Sequence, residues 1–212
     1  LARDLAGRGV ALLAAFLLGS SPVYFALART NSIDMTVSFF LAATLAAFWL
    51  ACEGPPERRR MTWYGCFLAA ALAVLAKGLI GMVIPGAIIV LYLSVTRGFR
   101  VLREVPWVGG LALFSAVAVP WHVLVAERNP SFLWFYFIHE HVLRYATNVA
   151  SREEPWWFLA VVLFAGALPW SGLPFALLPS AARQGLDGRT RRGALFLALW
   201  AGFVLLFFSI SK

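Results

Sequence analysis

Seven long apolar runs dominate the chain, near residues 9–28, 35–52, 62–76, 79–96, 107–126, 156–180 and 194–210. A bilayer core about 30 Å thick is crossed by roughly 20 helical residues, so runs of this length predict membrane-spanning helices. Hydrophobic residues make up 61% of the 212 and charged ones 13%, whereas a soluble domain is about half apolar and a quarter charged. The expected fold class is therefore all-α: a polytopic membrane protein of about seven transmembrane helices. A net charge of +8 invites a nucleic-acid reading. The arginines are scattered through interhelical loops, which is what membrane topology requires and which speaks against nucleic acid as a partner. Cys52 and Cys66 form neither a metal spacing nor a disulfide framework and read as small core residues.

The arginines also set sidedness. Arg3 and Arg8, then Arg58, Arg59 and Arg60, then Arg97, Arg100 and Arg103, and finally Arg183, Arg189, Arg191 and Arg192 fall in alternate connections. The positive-inside rule makes that face cytoplasmic. Asp34, Lys77 and the segment 127–155 then share the opposite face. This assignment needs a break at Ala76-Lys77-Gly78, since 62–96 is too long for one span at 1.5 Å per residue. Pro85 and Pro120 lie inside spans, where neighbouring helices can satisfy the freed backbone groups.

The long connection runs from Glu127 to Asn148. Asn129 and Pro130 read as the N-cap and first residue of a helix. Four successive aromatics, Trp134 to Phe137, favour a helix lying in the non-cytoplasmic membrane interface.

Asp34 sits in the short break between the first two runs, where an acid in or near the membrane is a functional candidate. It reads either as the N-cap of the next helix or as a general base or metal-anchoring carboxylate. The two readings are compatible. Lys77 reads either as a lysine snorkelling to the interface or as an ammonium held for a lipid phosphate, with Gly78 and Gly81 permitting close backbone approach. Glu140 and Arg144 are spaced for a local ion pair. His139 and His141 lie about 200° apart around a helix and cannot both grip one ion, though either could be a single metal ligand. Composition and spacing alone thus describe an external pocket suited to an anionic lipid headgroup.

The ordered motifs reach further: Arg29-Thr-Asn-Ser-Ile-Asp34, Leu75-Ala-Lys77-Gly-Leu-Ile-Gly-Met-Val-Ile-Pro85, Val119-Pro-Trp-His122, Phe137-Ile-His-Glu-His141-Val-Leu-Arg144-Tyr, Pro155-Trp-Trp-Phe158 and Ser209-Ile-Ser-Lys212. Together they resemble the bacterial aminoarabinose transferases of lipid A and their relatives among protein O-mannosyltransferases. These are polyprenyl-phosphate-dependent glycosyltransferases of the GT-C class. The resemblance implies an inverting enzyme of the bacterial inner membrane, with its active site facing the periplasm. Its partners would be a polyprenyl-phosphate-linked sugar and a lipid A or protein acceptor. It also implies that Asp34 lies near the reacting centre, that Lys77 and Arg144 neutralise the donor phosphate, and that His139 lies near a divalent ion. No nucleotide cofactor is expected, because the donor is a lipid. The family's first external loop, with the aspartate usually favoured as general base, would precede Leu1. A soluble domain would follow Lys212, so the chain reads as part of a larger transferase domain. A multispan transporter or flippase is the competing class. It does not explain charged groups gathered at one face, since a transporter favours the midplane.

Overall fold

A computed structural model of the chain describes residues 1–30, 32–136, 155, 157–173 and 187–210. Every regular element among them is a helix: α1 Ala2–Gly19, α2 Pro22–Arg29, α3 Ile33–Glu53, α4 Pro56–Lys77, α5 Ile80–Thr96, α6 Trp107–Arg128, α7 Phe158–Gly166 and α8 Gly188–Ile210, with short 3-10 segments at Phe99–Glu104 and Trp170–Gly172. Helices α3, α6 and α8 are each long and apolar enough to cross a membrane, and the bent pair α1–α2 makes a fourth if it is one span. The chain is a helical membrane protein. It divides into two compact units, Ile33–Glu153 and Leu1–Ser32 with Glu154–Ile210.

In the first of these, α3, α4, α5 and α6 pack around α4. Leu45, Phe48 and Trp49 of α3, Ala71 and Ala73 of α4, and Ile84 and Ile88 of α5 are almost fully buried. The Phe48 ring stands edge-on to Trp63 and Tyr92, with centroids 6.0 and 6.1 Å away. Small residues carry the α4–α6 contact: Ala71, Val74 and Ala118 are buried together, with Phe114 and Val117 packed against them. Without a hydrophobic drive between helices in lipid, such close approach supplies the packing energy. Pro85 and Pro120 lie inside continuous helices, as expected.

The turn from α4 to α5 is built on two glycines. Gly78 ends α4 at φ 74°, ψ −148°, a backbone region open essentially to glycine alone. Gly81 packs so closely that a Cβ there would lie 2.4 Å from the carbonyl carbon of Ala73 and 2.5 Å from the amide nitrogen of Val74. The expected break after Ala76 is therefore present. The close backbone approach expected at Gly81 is present too, and it is to the α4 backbone.

The other unit differs from the sequence reading in two places. The run 9–28 is two helices bent by 69°. Pro22 starts α2, and the hydroxyls of Ser20 and Ser21 donate to the carbonyls of Phe16 and Leu17, at 2.6 and 2.7 Å. The Ser21 hydroxyl satisfies the Leu17 carbonyl, whose helical donor, the Ser21 amide, turns to Leu18 instead, while the Phe16 carbonyl also accepts from the Ser20 amide. Within the run 156–180, α7 stops at Gly166, because Pro169 lacks an amide hydrogen and cannot continue the helix. At the start of α8, Arg189 makes two bonds to the Asp4 carboxylate, at 2.8 and 2.7 Å. Arg189 had been read only as a topology-setting cation.

Candidate active site

One end of the α3–α6 unit brings Asp34 and Lys77 together. Asp34 is the second residue of α3 and Lys77 the last of α4. Because the two helices run antiparallel, the N-terminus of one lies beside the C-terminus of the other. Each charge suits its own helix end, an anion at the N-terminus and a cation at the C-terminus. The Lys77 ammonium donates directly to Asp34 Oδ1. This pair is accessible: the side chains are 45% and 62% exposed, respectively. An exposed pair adds only about 0–1 kcal/mol to stability, so stability is a weak reason for its presence.

The N-cap reading of Asp34 is corrected, since the residue stands one position inside α3. Asn129 is corrected too. Its side-chain amide donates to the Val125 carbonyl at 3.1 Å and closes α6, which extends through Arg128. Helical structure resumes at 132, two residues later than the Asn129-Pro130 pair predicts. The interfacial helix expected from the aromatic run lies largely outside the described residues, as do its His139 and Arg144.

The start of that segment reaches the same end of the unit. Tyr136 donates from its hydroxyl to the Val74 carbonyl at 3.4 Å, one helical turn before Lys77. Burial pushes the Tyr136 hydroxyl above its ordinary value, which keeps it a donor. Tyr136 stacks on Phe132 at 4.9 Å and meets the His122 ring at 5.4 Å, while Trp121 stands edge-on to Phe132 at 5.8 Å. His122 Nδ1 lies 2.8 Å from the Ala118 carbonyl, so this nitrogen carries the proton. Sequence reading placed the aromatic run at the membrane interface. It gave no sign that Tyr136 would contact the turn that carries Lys77, because that contact joins residues 62 positions apart.

The opposite end of the unit holds Arg58, Arg59 and Arg60 at the start of α4, and Arg97, Arg100 and Arg103 after α5. Arg59 pairs there with Glu104. Asp34 and Lys77 thus share one end and the arginine cluster occupies the other, as the sidedness reading requires.

Among the described residues no three His, Cys, Asp or Glu side chains are grouped to hold an ion, and His139, for which the ion is expected, lies outside them. No step is therefore assigned to one. An apolar cleft of about 380 Å³ in the other unit, walled by Tyr24, Leu27, Leu163, Val204 and Phe208, can hold hydrocarbon but offers little for chemistry. Among the described residues, the sequence-predicted site residues that the structure brings together are Asp34 and Lys77.

Residues 1–124 match the family of dolichyl-phosphate-mannose-protein mannosyltransferases. The chain belongs to that family. Similarity to individual proteins covers more of it. An undecaprenyl phosphate-alpha-4-amino-4-deoxy-L-arabinose arabinosyl transferase of Erwinia tasmaniensis is 32% identical over 209 residues, covering 97% of this chain and 36% of the relative. The protein of the same name from Pseudomonas aeruginosa is 35% identical over 184 residues, covering 85% and 32%. Among solved structures, ArnT from Cupriavidus metallidurans bound to undecaprenyl phosphate superposes with a TM-score of 0.84 at 34% identity, over 100% of this chain and 38% of that one. Its apo form gives 0.83. The chain thus spans 32–38% of the length of these mannosyltransferase-family relatives.

Proposed function

We propose that the intact protein is a polyprenyl-phosphate-dependent glycosyltransferase of the bacterial inner membrane, and that this chain supplies about seven of its spans. It moves a sugar from an undecaprenyl-phosphate donor to lipid A or another envelope acceptor at the periplasmic face. The observation that supports this best is Lys77. It is an accessible ammonium fixed at a helix end beside a carboxylate, in a chain similar along its whole length to a protein bound to undecaprenyl phosphate.

The acceptor oxygen attacks the anomeric carbon. The carbon–oxygen bond to phosphate breaks, and its electron pair passes to the phosphate as the acceptor's proton leaves to a carboxylate. Lys77, with Arg144, holds the charge that grows on the departing phosphate, so their contribution is largest in the transition state. Asp34 orients the acceptor or assists removal of its proton.

Lys77→Ala and Arg144→Ala in the full-length protein test this reading, with sugar transfer followed by mass spectrometry of lipid A. Each variant is expected to lose about 10²–10³ in kcat, the scale of one lost transition-state donor. Undiminished transfer in both would remove the phosphate assignment. Solute uptake by the wild-type protein would favour a transporter instead.

A further inference from the structure

The cation available to a donor phosphate is already engaged by a carboxylate of the same site. We propose that Asp34 and the lipid phosphate exchange places on Lys77 during the reaction, so that gain of phosphate by the lysine and release of the carboxylate are one event. This inference rests on the reading of Lys77 as a phosphate site and adds a second role for Asp34.

Four features favour an exchange between side chains. The backbone beneath Lys77 is held by packing, because Gly81 lies directly on the α4 backbone at Ala73 and Val74. Asp34 is equally fixed, in the first turn of α3. The side chains of both are partly exposed, so they can reorient at little packing cost. Release also leaves Asp34 beside the positive end of α3, and the carboxylate does not lose all its stabilisation.

The timing follows from charge. A sugar joined to polyprenyl phosphate is a diester with one negative charge, which matches a carboxylate as a partner for lysine. Transfer leaves a monoester, whose second ionisation lies near pH 6 and whose charge approaches two. Lysine's preference thus moves from carboxylate to phosphate as the bond to the sugar breaks. Asp34 gives up its contact with Lys77 at the moment when the acceptor hydroxyl most needs a hydrogen-bond acceptor. When undecaprenyl phosphate departs, Asp34 returns to Lys77 and helps expel the product.

Binding of undecaprenyl phosphate to the full-length protein in nanodiscs tests the exchange. Asp34→Asn removes the competitor while keeping the shape. It is expected to bind undecaprenyl phosphate about two- to fivefold tighter, the scale of an exposed ion pair, and to show stronger product inhibition with lower kcat. Unchanged or weaker binding in Asp34→Asn would mean that the carboxylate positions the lysine and does not compete for it, and the exchange is overturned. Lys77→Gln should weaken binding about tenfold or more. Wild-type affinity in that variant would remove the phosphate assignment itself, together with the exchange. Carboxyl and amine footprinting of the wild-type protein needs no substitution. Adding undecaprenyl phosphate should protect Lys77 and make Asp34 more reactive, and joint protection of both overturns the proposal.

Discussion

Asp187 accepts a hydrogen bond from the Thr190 backbone amide at 2.8 Å and closes the start of α8. A bond from the Thr190 side chain, and then this backbone one, lower the Asp187 carboxyl below its ordinary value of 3.8. Because the folded state prefers the ionised form, the cap's contribution is complete above that value and fades as pH falls through the lowered one. Hydrogen exchange at the first amides of α8 should therefore accelerate only in acid. Asp187→Ala should show the accelerated rate at neutral pH as well, and Asp187→Asn should not. A neutral-pH rate in Asp187→Ala equal to wild type would show the cap to be idle. At Asp34 the same residue type serves differently. The sequence allows both a cap and a functional carboxylate there, since Asp suits either. Only the antiparallel placement of α3 and α4 shows its ammonium partner, 43 positions away.

Among the elements, the short connection from α4 to α5 does the most to fix the site. It sets where α4 ends, and hence where Lys77 stands. A methyl group at Gly81 meets backbone atoms that cannot rotate aside. Gly81→Ala should cost about 1–3 kcal/mol and lower the thermal midpoint. If α5 shifts to admit the methyl group, affinity for undecaprenyl phosphate should fall too. Gly86→Ala, in the same helix with nothing within 4 Å of its added carbon, is the control and should leave both unchanged. Equal midpoints for the two variants would contradict the close approach. The break at Lys77 was legible because an uninterrupted run of 62–96 exceeds one span. The bends at Ser20–Ser21 and Gly166–Pro169 were not, because hydropathy records apolar length and ignores whether the backbone can continue. Proline at 22 and 169 was the available signal, and the Ser21 hydroxyl on the Leu17 carbonyl shows how such a break survives in lipid.

At the scale of the whole molecule, the arginine pattern gave an orientation, and the α3–α6 unit gives that pattern a geometry. Arg58, Arg59, Arg60, Arg97, Arg100 and Arg103 gather at one end of the unit, and Asp34 and Lys77 stand at the other. Polybasic ends stay on the cytoplasmic side, because cationic loops near a span resist translocation. The Asp34 end should then face the periplasm. This is open to direct measurement. Cys52 is partly buried and Cys66 buried, its thiol donating to the Thr44 carbonyl at 3.5 Å, so both can be replaced by alanine to give a silent background. A cysteine introduced at Ser32 and, separately, one at Arg100 then report the two ends. A membrane-impermeant maleimide added to intact spheroplasts should label Ser32→Cys and spare Arg100→Cys until the membrane is opened. The reverse pattern would place Lys77 in the cytoplasm. Labelling of both in intact cells would mean that the unit does not separate two compartments at all.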